Sequence, residues 1–372
     1  MAIAALKPLE RRLRHLLLSR QPPFTGRLIT RPEDAIDLRP APRILLVRPE
    51  RIGDVLIAVP VIRAIRRRYP HAMIDLLLST ANAGVQPAVS PWVDRVLIYE
   101  KHVGPTIGLV RRLRRARYDL MVDLVNEPSV TSRFIAKWSG ATRVLGMLHE
   151  QPGLLTHAVP LLDRRSVHIV ERTAQLLLAF GIDPAQESLA LEYPLSEADR
   201  LRAMAQLAPS RAPFRLGVNV SGRGPGKYWG RHNFSAAIRA IRALDARFSV
   251  TVCGAAEHID AIDAIAVETG VDEVRPLSSF HEFAAVINAC DLLLTPDTSV
   301  VHLAAAWRIP LVGLYRADSR TTPWLPYGTP HRAIVHDGPV SGVSVDEVMQ
   351  AMTGLIEECF GPAPPREQPF AS

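Results

Sequence analysis

Residues 43–70 read RILLVRPERIGDVLIAVPVIRAIRRRYP. The run Ile44–Val47 is apolar without alternation, which suits a strand covered on both faces rather than one with a wet side. It stops at RPERIG, where Pro49 and Gly53 punctuate the pattern. A second apolar stretch follows, and its spacing predicts a helix from about Gly53 to Arg68, bent at Pro60, which lacks an N–H for the helix ladder. Strand, glycine turn and helix together open a parallel α/β sheet. Asp54 stands in the first turn of that helix, at the carboxyl end of the strand, where such sheets bind ligands.

The same alternation continues outward. MIDLLLS (73–79), RVLIYE (95–100), DLMVDLV (119–125) and RVLGM (143–147) read as strands. A basic helix, IGLVRRLRRARY, lies before the third of these, and helices at about 129–138 and 168–182 follow, the latter closed by Gly181. Residues 183–213 read as a bridge. A second series then runs through strands at 215–221, 248–255, 291–297 and 310–315, with helices at 234–247, 258–270, 281–290, 298–308 and a closing one at 345–360. The fold class is α/β, with two Rossmann-like halves facing across a cleft. The expected layout is a basic extension and linker over 1–40, a first domain over 41–195, a second over 196–345, and a closing helix with a loose tail over 346–372.

The 372 residues suit about two domains. At 48% hydrophobic and 22% charged the chain can build cores, so wholesale disorder is excluded. No apolar run approaches the ~20 residues of a membrane span. The apolar core of the N-terminus, LLL at 16–18, is too short for a signal peptide. The three cysteines form no CxxC pair, so neither a disulfide framework nor a zinc site is indicated, and a reducing cytoplasm fits. The net charge is +7, almost all of it from arginine; it is compatible with nucleic acid, anionic lipid or phosphorylated substrates. Residues 9–20 form a basic helix with leucines on one side, which reads either as a helix lying on an anionic membrane or as an extension packed on the protein.

Three strand-to-helix loops carry possible chemistry. In the first, Gly53 allows close approach of a substrate, and Asp54 sits where amide dipoles favour a carboxylate that could accept a proton from a hydroxyl. The competing reading of Asp54 is a plain helix cap. The second loop, SGRGPGKYW (221–229), could wrap a phosphate with backbone N–H groups and add the charge of Lys227; it could equally be a surface loop. Trp229 reads as packed rather than functional. The third, TPDTSVVHLAAAW (295–307), places Asp297 and Thr298 at a strand end, with free amides over 298–300 for a diphosphate; His302 one turn on could be no more than a hydrogen-bonded core histidine. No HExxH, DxD or paired-His motif calls for a metal.

Taken in order, IGDVLIAVP, HIVERT, a strand followed by GKYW, and DTSVVHLAAAW with RIPLVGLY resemble the bacterial glycosyltransferase family 9, the lipopolysaccharide heptosyltransferases, over roughly residues 43–357. The resemblance implies the two-Rossmann GT-B fold. It also implies metal-independent, inverting transfer of a heptose from ADP-heptose onto Kdo or heptose of the lipopolysaccharide core. It casts Asp54 as catalytic base; Arg51 and Gly53 beside it are candidate substrate contacts on their position alone. Lys227 would neutralise the donor diphosphate, Asp297 would sit near the donor sugar hydroxyls, the Thr298 and Ser299 amides would hold phosphate, and His302 would support that loop. Glu257 is a looser match for the nucleotide ribose. This chain departs from the pattern at Pro49, Glu50 and Arg51, where relatives carry small hydroxyl residues before Gly-Asp, and at Ser299, where they carry Gly.

The expected partners are therefore a nucleotide-sugar donor, a lipid-anchored glycan acceptor and an anionic membrane surface, with no nucleic acid and no cofactor beyond the donor. The expected place is the cytoplasm, peripheral on the inner membrane face. Two other readings share the fold: a non-catalytic nucleotide-sugar or glycan-binding relative, and a nucleotide-sugar epimerase that needs no acceptor.

Overall fold

The computed structural model describes residues 23–150, 152–222, 224, 226–274, 277–317 and 324–362. The basic helix expected over 9–20 and the tail beyond residue 362 lie outside them. The chain divides into two units, Met1–Leu189 and Ala190–Ser372.

In the first unit seven strands form one parallel sheet: β1 (Arg27–Leu28), β2 (Arg43–Val47), β3 (Met73–Ser79), β4 (Arg95–Tyr99), β5 (Leu120–Asp123), β6 (Val144–Met147) and β7 (His157–Val159), in the order β1-β7-β6-β5-β2-β3-β4. Counting from β2, the order is 3-2-1-4-5-6 with β1 added outside the sixth strand, which is the dinucleotide-binding winding. The apolar run Ile44–Val47 has no solvent exposure, as a strand covered on both faces requires.

The helix expected over 53–68 is two helices, α1 (Ile52–Leu56) and α2 (Val59–Arg68). The break falls at Ile57 and Ala58, not at Pro60 itself. Proline cannot donate to the carbonyl of residue 56 and its ring crowds that carbonyl, so Pro60 ends up in the first turn of α2, where no N–H is needed. Then follow α3 (Gln86–Val89), α4 (Val103–Ala116), α5 (Val130–Trp138) and α6 (Ile169–Ala174), the last continued by a 3-10 turn, Gln175–Phe180, that Gly181 closes at φ 71°. The described part of the expected linker is tied to the sheet. Arg27 and Ile29 donate to the Thr156 and Ala158 carbonyls at 2.9 and 2.8 Å, and Ile29 and Ile36 are buried.

The second unit repeats the plan. Its strands β8 (Phe214–Asn219), β9 (Phe248–Cys253), β10 (Asp272–Glu273), β11 (Leu292–Pro296), β12 (Leu311–Arg316) and β13 (His331–His336) are parallel, in the order β10-β9-β8-β11-β12-β13, again 3-2-1-4-5-6. The expected bridge contains a helix, α7 (Glu197–Gln206), started by a capping box in which Ser196 and Asp199 each hold the other's backbone N–H. Helices α8 (Arg231–Leu244), α9 (Ile259–Thr269), α10 (Phe280–Asn288) and α11 (Ser299–Trp307) cover the sheet. The closing helix α12 (Val345–Phe360) is not an appendage: Val348, Met352, Leu355 and Ile356 belong to the same core as Trp229 and Phe234.

Candidate active site

In each sheet the winding reverses between the first and fourth strands, and the crevice beyond their carboxyl ends is where such sheets bind ligands. In the first unit this is the gap between β2 and β5. Arg48, the residue after β2, is 1% exposed and spends its guanidinium there. Its Nε donates to the Asp54 carbonyl at 2.9 Å and its Nη1 to the Leu124 carbonyl at 2.5 Å, tying the two strand ends together. Its Nη2 lies 3.3 Å from Asp54 Oδ1. Asp54 Oδ2 accepts the Arg51 N–H at 2.9 Å, as an acidic residue at the third helical position does. Asp54 is thus both helix cap and counter-ion. A carboxylate has about four lone-pair directions, so two stay free for a substrate hydroxyl. Gly53 is half-buried in the same turn, and Arg51, exposed, begins the helix.

Two further carboxyls crowd this edge. Burial, aided by the charges of Asp123 and Asp54 and opposed by Arg48, raises Glu50 to about 7. Its Oε2 is buried with no hydrogen-bond partner among the described residues. Burial likewise raises Asp123 to about 6, against the pull of the Ser132 hydroxyl, the Val125 N–H and two arginines. A recess beyond β5 and β6 is lined by Asp123, Ser132, Arg133 and His149. Burial first, then the charge of Arg172, lowers His149 to about 4.

In the second unit the gap lies between β8 and β11. Lys227 Nζ pairs with Asp297 Oδ2, both side chains 28% exposed, and reaches the Asp297 carbonyl at 3.3 Å. Thr298 caps α11, its hydroxyl accepting the Val300 N–H at 3.3 Å, so Thr298 and Ser299 stand at the positive end of that helix. Asn219, the last residue of β8, donates to the Thr295 and Thr298 hydroxyls at 2.9 and 3.2 Å and fixes the two strand ends relative to each other. The loop after β8 folds back so tightly that a Cβ on Gly222 would lie 2.1 Å from the Lys227 carbonyl oxygen; only glycine fits. His302 is buried one turn into α11, its ring 6.0 Å from that of Trp324. Burial, with Asp297 nearby, pushes the Tyr315 phenol well up.

Lys227, Asp297, Thr298 and Ser299 are therefore brought together, while His302 stands one turn further along the same helix, packed beside Trp324. Glu257 lies in the turn after β9, exposed, 3.8 Å from His258 Nε2, on the same edge of the sheet. That is the end of the second strand of the winding, where dinucleotide-binding sheets place an acid for the ribose. Trp229 is packed, with no exposure and its Nε1 donating to Val343 at 2.8 Å. Arg48 and Asn219 were not anticipated. Each is a polar residue closing the apolar run of the strand from which its sheet's winding is counted, which is the signal that could have marked them. Among the described residues no three His, Cys, Asp or Glu side chains gather as a metal-binding set.

Two parallel sheets of this winding, each with polar groups at its switch point, give the chain the double-Rossmann fold called GT-B. The model of glycosyltransferase family 9 (heptosyltransferase) matches residues 107–340, and the chain belongs to that family. The matched span holds Lys227, Glu257, Asp297 and His302, while Asp54 precedes it. Lipopolysaccharide heptosyltransferase 3 of Escherichia coli is 24% identical over 290 residues, 74% of this chain and 83% of the relative. The glycosyltransferase family 9 structure from Veillonella parvula superposes with a TM-score of 0.75 at 19% identity, over 87% of this chain and 99% of the other. The E. coli ADP-heptose lipopolysaccharide heptosyltransferase II does so at 0.67 and 23%, over 85% and 99%.

Proposed function

We propose that this glycosyltransferase moves heptose from ADP-heptose to a lipopolysaccharide core or a related surface-glycan acceptor, with inversion at the anomeric carbon and no metal or cofactor in the step. The observation that carries the reading is the Lys227–Asp297 pair beside the capped N-terminus of α11, at the switch point of the second sheet. A cation beside the Thr298 and Ser299 amides at a helix N-terminus suits a diphosphate, and a carboxylate such as Asp297 suits sugar hydroxyls as a hydrogen-bond acceptor. The names of the relatives, heptosyltransferases of lipopolysaccharide, favour the donor and acceptor.

In the step, Asp54 takes the proton of the acceptor hydroxyl as that oxygen bonds to the anomeric carbon. The bond from that carbon to the diphosphate breaks, and ADP leaves with the electron pair. Lys227 and the Thr298 and Ser299 amides stabilise the charge that develops on the leaving group. Arg48 orients the base without touching the substrate. Arg51 and Gly53 border the acceptor, Glu257 the nucleotide ribose, and His302 backs the α11 loop. The acceptor is lipid-anchored, which puts the reaction at the cytoplasmic face of a membrane. Among the described residues no helix is long and apolar enough to cross one, so contact would be made from the side.

Calorimetric titration with ADP-, UDP- and GDP-linked sugars tests the donor. Binding of ADP-heptose, followed by ADP release only when a Kdo- or heptose-terminated acceptor is added, is expected. Binding confined to UDP or GDP sugars would discard the heptose. Turnover of the donor without acceptor would replace transfer by epimerisation.

A further inference from the structure

We propose that helix α4 is the surface by which the protein docks on an anionic lipid leaflet, Val103 and Ile107 entering the acyl boundary and Arg111, Arg112, Arg114 and Arg115 resting on headgroup phosphates. The inference extends the proposed function by naming the face that meets the membrane, and it is tested without turnover.

Four observations converge on this helix. Its first two turns expose large apolar side chains, Val103 at 79% and Ile107 at 47%, while Leu109 and Leu113 bury its other side. Val103, Ile107 and Arg114 fall at spacings of four and seven residues, so they share one outward stripe. The segment 101–118 carries Lys101, Arg111, Arg112, Arg114, Arg115 and Arg117 and no acidic residue. An ordinary solvated helix face mixes both signs, whereas basic residues beside an apolar stripe mark an interfacial helix.

Gly104 and Gly108 are the third observation. A Cβ at either would meet nothing within 4 Å, so packing does not ask for glycine there. Each weakens an exposed helix, and together they leave the backbone bare beside Val103 and Ile107. The fourth is the far end of the helix. Arg114 sits 5.4 Å from the ring of Trp138, which is 39% exposed and also has Lys137 at 5.7 Å. Tryptophan next to basic residues is the usual composition of a membrane–water boundary. On the neighbouring side a recess is lined by Arg43, Arg95, Arg112 and Arg115. Asp75 holds Arg95 at 2.9 and 2.8 Å, and the Ala116 carbonyl takes Arg43 at 2.6 Å. Arg112 and Arg115 are exposed, and the recess they share with the other two is large enough for a phosphate. Apolar residues at one end and arginines at the other fit a lipid leaflet better than nucleic acid, which would use the charge and not the valine.

The test is co-sedimentation of the full chain with vesicles of phosphatidylglycerol and phosphatidylcholine. Binding to the anionic vesicles is expected. Arg111→Ser with Arg115→Ser should weaken it about 25-fold at low salt, on about a fivefold loss per basic residue. Val103→Ser with Ile107→Ser should weaken it about tenfold or more, since the lost burial is of aliphatic surface. Arg200→Ser with Arg211→Ser, the same loss of charge on the second unit, should change it little. Equal loss in that control, or full binding by either α4 variant, overturns the proposal, as does an oligonucleotide bound with the same dependence on Val103 and Ile107. Transfer to a water-soluble core oligosaccharide should be unchanged in both α4 variants. If the wild-type protein fails that transfer, the proposed reaction falls while the docking result stands.

Discussion

Asp54→Asn keeps the shape of the side chain and removes its charge. Two consequences separate cleanly. At 3.3 Å the Arg48–Asp54 attraction is on the order of 5 kcal/mol at an effective dielectric of about 20. Most of that is offset by the cost of keeping both groups out of water. Arg48 would retain its two backbone acceptors, and Asn would still accept the Arg51 N–H. The net loss of stability should therefore be about 2–3 kcal/mol, below the 3–5 kcal/mol of stranding a buried charge entirely. A domain stable by about 5–15 kcal/mol stays folded after such a loss. Loss of a general base lowers the chemical rate by ~10² to 10⁴, and ~10² corresponds to about 2.7 kcal/mol of barrier. Single-turnover release of ADP, with donor and acceptor saturating, should then fall at least ~100-fold while the donor dissociation constant is unchanged. A folded variant that turns over within about threefold of wild type would refute the base and leave Asp54 as cap and counter-ion.

Lys227→Ala should weaken donor binding about 10- to 100-fold, the scale of a lost hydrogen bond to a charged group, with little change in melting temperature because the pair with Asp297 is partly exposed; calorimetry and a thermal melt read the two effects. Glu50 holds its proton to about 7 in the folded state but releases it near 4.5 when unfolded, so the protein should lose stability as pH rises across that window, by up to about 3 kcal/mol. Glu50→Gln should lessen the fall of urea-measured stability between those pH values, leaving the share that Asp123 contributes below about 6, and an unaltered slope would contradict the burial of the Glu50 carboxyl. Trp229→Ala should cost about 3–5 kcal/mol in denaturant unfolding, as it empties a fully buried site and strands the Val343 carbonyl.

The central strands were legible because burial on both faces writes them as unbroken apolar runs: β2 and β3 fall on the expected bounds of 43–47 and 73–79. The peripheral strands were not. β1 and β10 are two residues each, and β13 is only partly buried, so none carries a run or a period that distinguishes it from loop. Helix α7 was written in the sequence as Ser196 followed three residues later by Asp199, but its face is largely exposed and its apolar period weak. At the sites, the loops were legible because glycine, aspartate and lysine fall at strand ends. Arg48 was not, because a buried arginine is explained only by the acid and carbonyls that the fold brings to it.

The place of β1 has a consequence for the order of assembly. Arg27 and Leu28 stand beside His157 and Ala158, so the first strand of the unit waits for nearly the whole of it to be made. On a ribosome adding about 5–20 residues per second, that wait lasts roughly 6 to 26 s, with the partner edge absent. Once β7 arrives, β1 covers an open sheet edge that could otherwise recruit a second chain. Pulse-labelled hydrogen exchange during refolding should show the amides of Arg27 and Ile29, which bond to the β7 side, gaining protection together with that strand and after β2 and β3. Protection at Arg27 and Ile29 that preceded β7 would mean the edge is sealed by some other contact.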